Sequence, residues 1–112
     1  MTYISDETMR QLLPTAKEYS LVILKAGPKR YDPGADKILW EHVRRNFTLR
    51  ADGQLAIVCP VGDASDIRGI GLFTTSLEET KKIMDEDPGV KSDVFVYELH
   101  PCNGFPGDCL PK

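Results

Sequence analysis

The chain has 112 residues, with 14 Lys+Arg against 17 Asp+Glu and a formal net charge of −3. That length makes one ordinary domain with a single modest core. A hydrophobic fraction of 41% and a charged fraction of 28% exclude a disordered, collagen-like or membrane-spanning chain. The acidic balance excludes a general nucleic-acid binder, which needs a basic footprint to displace counterions from phosphates.

The first residues carry Asp6 and Glu7 and lack the cationic start and long apolar run of a signal or transit peptide, so a cytoplasmic setting is expected. The odd number of cysteines, Cys59, Cys102 and Cys109, suits a reducing compartment. Cys102 and Cys109 lie in a Pro/Gly-rich tail that could fold back and bridge them. His100 beside Cys102 lacks zinc spacing and no CxxC pair occurs, so no metal is expected.

Residues 1–18 read as an N-terminal extension with a short amphipathic helix over 6–13, broken at Pro14. The run YSLVILKA over 19–26 predicts a strand, ended by Gly27-Pro28. Over 36–49 the spacing of Leu39, Val43 and Phe47, with Trp40 alongside, predicts a helix, closed by Asp52-Gly53. QLAIVC over 54–59 and IRGIGLFT over 67–74 predict two more strands. Ser76 and Glu79 form a capping box that starts a helix, expected to run to Glu86 and stop at Pro88-Gly89. VFVYELH over 94–100 is a fourth strand, expected to stop at Pro101, with a tail over 102–112. The order βαββαβ over 19–101 is that of an α+β, ferredoxin-like protomer, an antiparallel sheet with two helices on one face.

The strand over 19–26 is apolar on both faces, with Val22, Leu24 and Ala26 alternating with Leu21 and Ile23. Two helices cover only one face, and the other needs a second sheet. A sheet-on-sheet homodimer supplies it; the alternative is that the N-terminal helix or the tail covers that face.

Two residues have types at odds with their positions. His42 sits on the shoulder of an apolar stripe, three and four residues after Leu39 and Ile38. Asp87 continues the inward series Leu77, Thr80, Met84 to a helix C-terminus, where the dipole disfavours an anion. An imidazole beside a carboxylate suits proton transfer, because the carboxylate fixes the tautomer and holds the charged form. The plainer reading is a half-buried histidine and an Asp-Pro-Gly turn former. Arg44, Arg45 and Arg50 give the helix a basic flank, with Arg45 a candidate anion contact. Gly69 and Gly71, two apart in one strand, indicate close backbone approach or packing room rather than a phosphate loop.

The stretch over 19–101 resembles the YciI-like (YCII-related) domain family. Three features carry the resemblance: His42 eleven positions before Gly53, the strand end Cys59-Pro60, and Asp87-Pro88 leading into the last strand. It implies a dimeric α/β barrel of two ferredoxin-like protomers, and a cleft in which the family's His and Asp, proposed there as an acid/base pair, fall on His42 and Asp87. One characterised relative removes chloride from a hydroxylated aromatic ring, and the barrel is shared with muconolactone isomerases and small monooxygenases. Where the family usually has Gly-Pro, Cys59 beside Pro60 would bring a thiol to the substrate pocket.

Two functions follow from different classes. One is a small cofactor-independent enzyme, an isomerase, lyase or hydrolase, using the His42–Asp87 pair on a small metabolite, aromatic or enolisable. The other is a non-catalytic ligand-binding or interaction module of the same barrel type. The expected partners are a second copy and a small-molecule ligand, with no nucleic acid and no membrane.

Overall fold

The computed structural model describes all 112 residues. In chain order they form α1 (Asp6–Leu12), β1 (Lys17–Ala26), α2 (Ala35–Ala51), β2 (Leu55–Pro60), β3 (Ile67–Phe73), α3 (Leu77–Asp85), α4 (Pro88–Lys91) and β4 (Phe95–Gly104). The protein is therefore α+β, with four helices and one four-stranded antiparallel sheet in the order β2-β3-β1-β4, an arrangement compatible with the ferredoxin-like fold. No helix is long and apolar enough to cross a membrane.

The register sorts the two faces of the sheet. Ser20, Val22 and Leu24 of β1 align with Phe73, Gly71 and Gly69 of β3 and with Pro101, Leu99 and Tyr97 of β4. This face packs under the helices, and Val22, Leu24, Leu55, Phe73 and Phe95 join Ala35, Leu49, Met84 and Val94 in the core. On the other face lie Leu21 and Ile23, paired with Leu72 and Ile70, and no segment of the chain buries them. The N-terminal alternative for covering that face fails, since α1 buries no residue, and Phe105 and Leu110 of the tail are exposed.

The expected break at Pro14 is present: α1 ends at Leu12 and the chain continues as a 3₁₀ turn over Leu13–Thr15, where a missing N–H is tolerated because a first-turn N–H has no helical acceptor. Three local expectations are corrected. Pro101 does not end the last strand; β4 pairs with β1 through Pro101 to Gly104, as an edge strand permits. Pro88-Gly89 begins α4 rather than only ending the preceding helix, because proline's fixed φ suits a first helical turn. Finally, α2 turns Ala35, His42 and Leu49 inward, leaving Trp40, Val43 and Phe47 exposed. Positions 35, 42 and 49 repeat at seven-residue intervals and share one face, whereas 40, 43 and 47 lie on its flank.

Candidate active site

Asp87 is the residue around which the site is built. Leaving α3, the chain turns at Glu86, and Asp87 adopts an extended backbone as the N-cap of α4. One oxygen, Oδ2, accepts hydrogen bonds from the backbone N–H of Gly89 at 2.9 Å and of Val90 at 3.3 Å. The carboxylate thus occupies a helix start, where N–H groups point at it, and not the helix C-terminus expected from the sequence. Gly89 makes this possible, since a Cβ there would lie 2.5 Å from the Phe95 ring and 3.0 Å from Asp87 Oδ2.

His42 comes to the same carboxylate from the inward face of α2. Its Nδ1 stands 2.9 Å from both Oδ1 and Oδ2 of Asp87, and both side chains are buried, with 6% and 1% of their surface exposed. A carboxylate accepts only, so Nδ1 carries the proton and donates. Burial raises the Asp87 pKa, but the hydrogen bond and charge of His42, with the two backbone N–H groups, outweigh it and hold the carboxyl below its ordinary value. The Phe95 ring packs against the imidazole, with centroids 4.7 Å apart and planes tilted by 45°.

With Nδ1 committed to Asp87, Nε2 is the atom free for exchange. Asn46, one turn on in α2, places its Nδ2 at 3.2 Å from Nε2 and donates to the neutral ring. The i, i+4 spacing that brings them together was readable in the sequence, though Asn46 was not singled out there. The imidazole faces a cavity of about 200 Å³ between α2 and the sheet. Gly69 and Gly71 form its floor on β3, which makes them providers of space. Val22, Leu24, Phe73 and Met84 make its lining mostly apolar.

The remaining sequence candidates divide. Pro60 lines the cavity. Cys59 does not: it pairs with Ile70 while its neighbours Val58 and Pro60 pair with Gly71 and Gly69, so alternation along β2 turns its thiol to the other face. Arg45 does not line the cavity either, and its Nη1 approaches Asp87 Oδ1 at 3.7 Å from outside it. Arg44 pairs with Glu41 on the surface, and Arg50 is exposed. The arginines that do reach the cavity are Arg30, in the turn after β1, and Arg68, in β3. A charge inside the otherwise apolar IRGIGLF was the available signal for Arg68; nothing local marked Arg30. All three cysteines are free thiols.

No protein-family model matches the chain, and no curated protein matches it.

Proposed function

We propose that the protein is a small cofactor-independent enzyme of the YciI-like type, an isomerase, lyase or hydrolase in which His42 moves a proton at Nε2 on a small aromatic or enolisable metabolite. The observation that carries this reading is the buried His42–Asp87 pair at 2.9 Å, opening on a largely apolar cavity. Asp87 is a positioning residue: it fixes the tautomer and stabilises the imidazolium that forms when Nε2 takes a proton. Asn46 would yield Nε2 to the substrate and, with its amide turned, accept from Nε2–H once the ring is charged. The apolar lining limits the water that could compete for the proton.

The working form is a homodimer in which the sheet face bearing Leu21, Ile23, Ile70 and Leu72 packs on its counterpart in a dimeric α/β barrel, in the cytoplasm. The exposure of Ile70, at 39%, beside Leu21, Ile23 and Leu72 supports this, since an apolar stretch of sheet face gains stability when it is covered.

A panel of small enolisable and hydroxyaromatic compounds, assayed with the wild type, His42→Ala and Asp87→Asn, tests the chemistry. Turnover should fall by at least about a hundredfold in His42→Ala, the usual contribution of a general acid or base. Asp87→Asn should shift the pH profile as well as lower the rate. Full turnover in both variants would remove the assigned roles. The Asn46 contact at Nε2 favours a second reading, a non-catalytic binding module in which the pair only shapes the cavity. In that case neither variant would change any reaction.

A further inference from the structure

The charged residues that line the cavity have one sign. They are Arg30 and Arg68, and no carboxylate joins them, since Asp87 lies behind His42. Neither arginine is neutralised by a close acid. Arg30 has no ion pair at all, its guanidinium stacking instead over Tyr31 at 5.1 Å and Phe95 at 5.9 Å. Arg68 reaches only the exposed Asp63, at 3.9 Å, and spends its Nη2 on the backbone carbonyls of Asp63 and Ser65. The Nε atoms of Arg30 and Arg68 are both buried and lack any hydrogen-bond partner. Buried donors without acceptors are costly, so each of these guanidinium groups keeps unmet donor capacity beside the cavity.

We infer that the cavity takes a small organic carboxylate with a compact apolar body, its oxygens held by Arg30 and Arg68 and its body lying over Gly69 and Gly71 towards His42. Guanidinium groups match carboxylate geometry, and a charge-assisted hydrogen bond gains strength where water is excluded. The cavity volume of about 200 Å³ lies below the usual range for small-molecule sites, which limits the body to one ring or a few carbons. The inference rests on the acid–base reading only for the direction of the body towards His42. It also deepens that reading, because a carboxylate anchored away from Nε2 would leave the reacting carbon at the imidazole.

The test compares benzoate with benzamide, which has the same ring and no charge, and with inorganic phosphate, which has charge and no apolar body. Binding is followed through the backbone amide signals of Gly69 and Gly71 in the wild type, Arg30→Gln and Arg68→Gln. Benzoate should shift both glycines and bind at least about tenfold more tightly than benzamide or phosphate, the ratio set by one charge-assisted hydrogen bond. Each arginine substitution should reduce that preference to near parity, and Arg30→Gln provides the reading should Arg68→Gln disturb the loop it anchors. Equal binding of benzamide, tighter binding of phosphate, no shift of either glycine at millimolar benzoate, or a preference that survives both substitutions would each overturn the site. Benzoate preference alongside unimpaired turnover in His42→Ala would remove the acid–base reading alone. Loss of turnover in His42→Ala without benzoate preference would remove the anion site alone.

Discussion

At the residue scale, Asp87 concentrates four interactions on two oxygens: His42 on both, Gly89 and Val90 N–H on one, and Arg45 at longer range on the other. Removing the buried carboxylate leaves the His42 Nδ1–H and the Gly89 and Val90 N–H groups without their acceptor, so Asp87→Ala should destabilise the fold by about 1–3 kcal/mol for each donor left buried and unpaired, measurable by urea denaturation. The acid limb of stability carries the same signature. Asp87 has its folded-state pKa held below the ordinary aspartate value by His42 and the two backbone N–H groups, so the folded protein binds fewer protons than the unfolded chain in that range. Its contribution is fully present above the unfolded pKa and is lost as pH falls through the folded one. Melting temperature should thus drop in the wild type as pH falls below the ordinary aspartate pKa, and the part of that drop due to this residue should vanish in Asp87→Asn. An acid limb of equal depth in both proteins would show that the carboxylate is not coupled to folding. His42 and Asp87 were legible as residues out of place in apolar series. Asn46 and Arg30 were not, because a polar residue on a helix or in a turn is ordinary until the tertiary contacts show what it faces.

At the element scale, the site depends on the short interruption between α3 and α4. Thr80 and Met84 bury the inner face of α3, and Tyr97 of β4 ties its end by donating to Asp85 Oδ1 at 2.6 Å. Burial, together with the Asp85 carboxylate, pushes the Tyr97 pKa up to about 12, so the phenol remains a donor across the physiological range. Gly89 then lets α4 sit against Phe95. Gly89→Ala should cost about 1–3 kcal/mol from overpacking and should also perturb the His42 ring signals, because the intruding Cβ meets Phe95 and Asp87 together. Unchanged stability and unchanged ring signals would show that the α4 cap does not set the imidazole position. The four strands and the helices α1, α2 and α3 were readable from periodicity and end signals, but α4 was not, because four residues are too few to show a period. The inward face of α2 was not, because Trp40, Val43 and Phe47 outweigh Ala35, His42 and Leu49 in hydrophobicity, though it is the latter set that packs on the sheet.

For the whole molecule, the sheet is covered on the helix side and bare on the other. The proposed dimer predicts a mass of two chains by light scattering at micromolar concentration. Leu72→Lys, which places a charge at the centre of the bare face opposite Leu21, should give a folded single chain, since an unpaired buried charge is excluded from an apolar interface. A wild-type mass of one chain would sink the dimer. A folded dimeric Leu72→Lys protein would place the interface elsewhere, with the exposed Trp40, Val43 and Phe47 of α2 the next surface to test.

The sequence by itself determined the α+β class, the order of the four strands and of α1, α2 and α3, and the alternation that leaves β1 apolar on both sides, because these rest on local periodicity and on turn residues. It also marked His42 and Asp87, 45 positions apart, as a candidate pair by their chemistry. Only the tertiary structure decided that Asp87 caps a helix start instead of closing a helix end, that Cys59 faces away from the cavity, and that Arg30 and Arg68 replace Arg45 at its wall. Each of these depends on which way a strand, turn or helix is rotated against its neighbours. That rotation is set by packing across the whole core, which no local stretch of sequence contains.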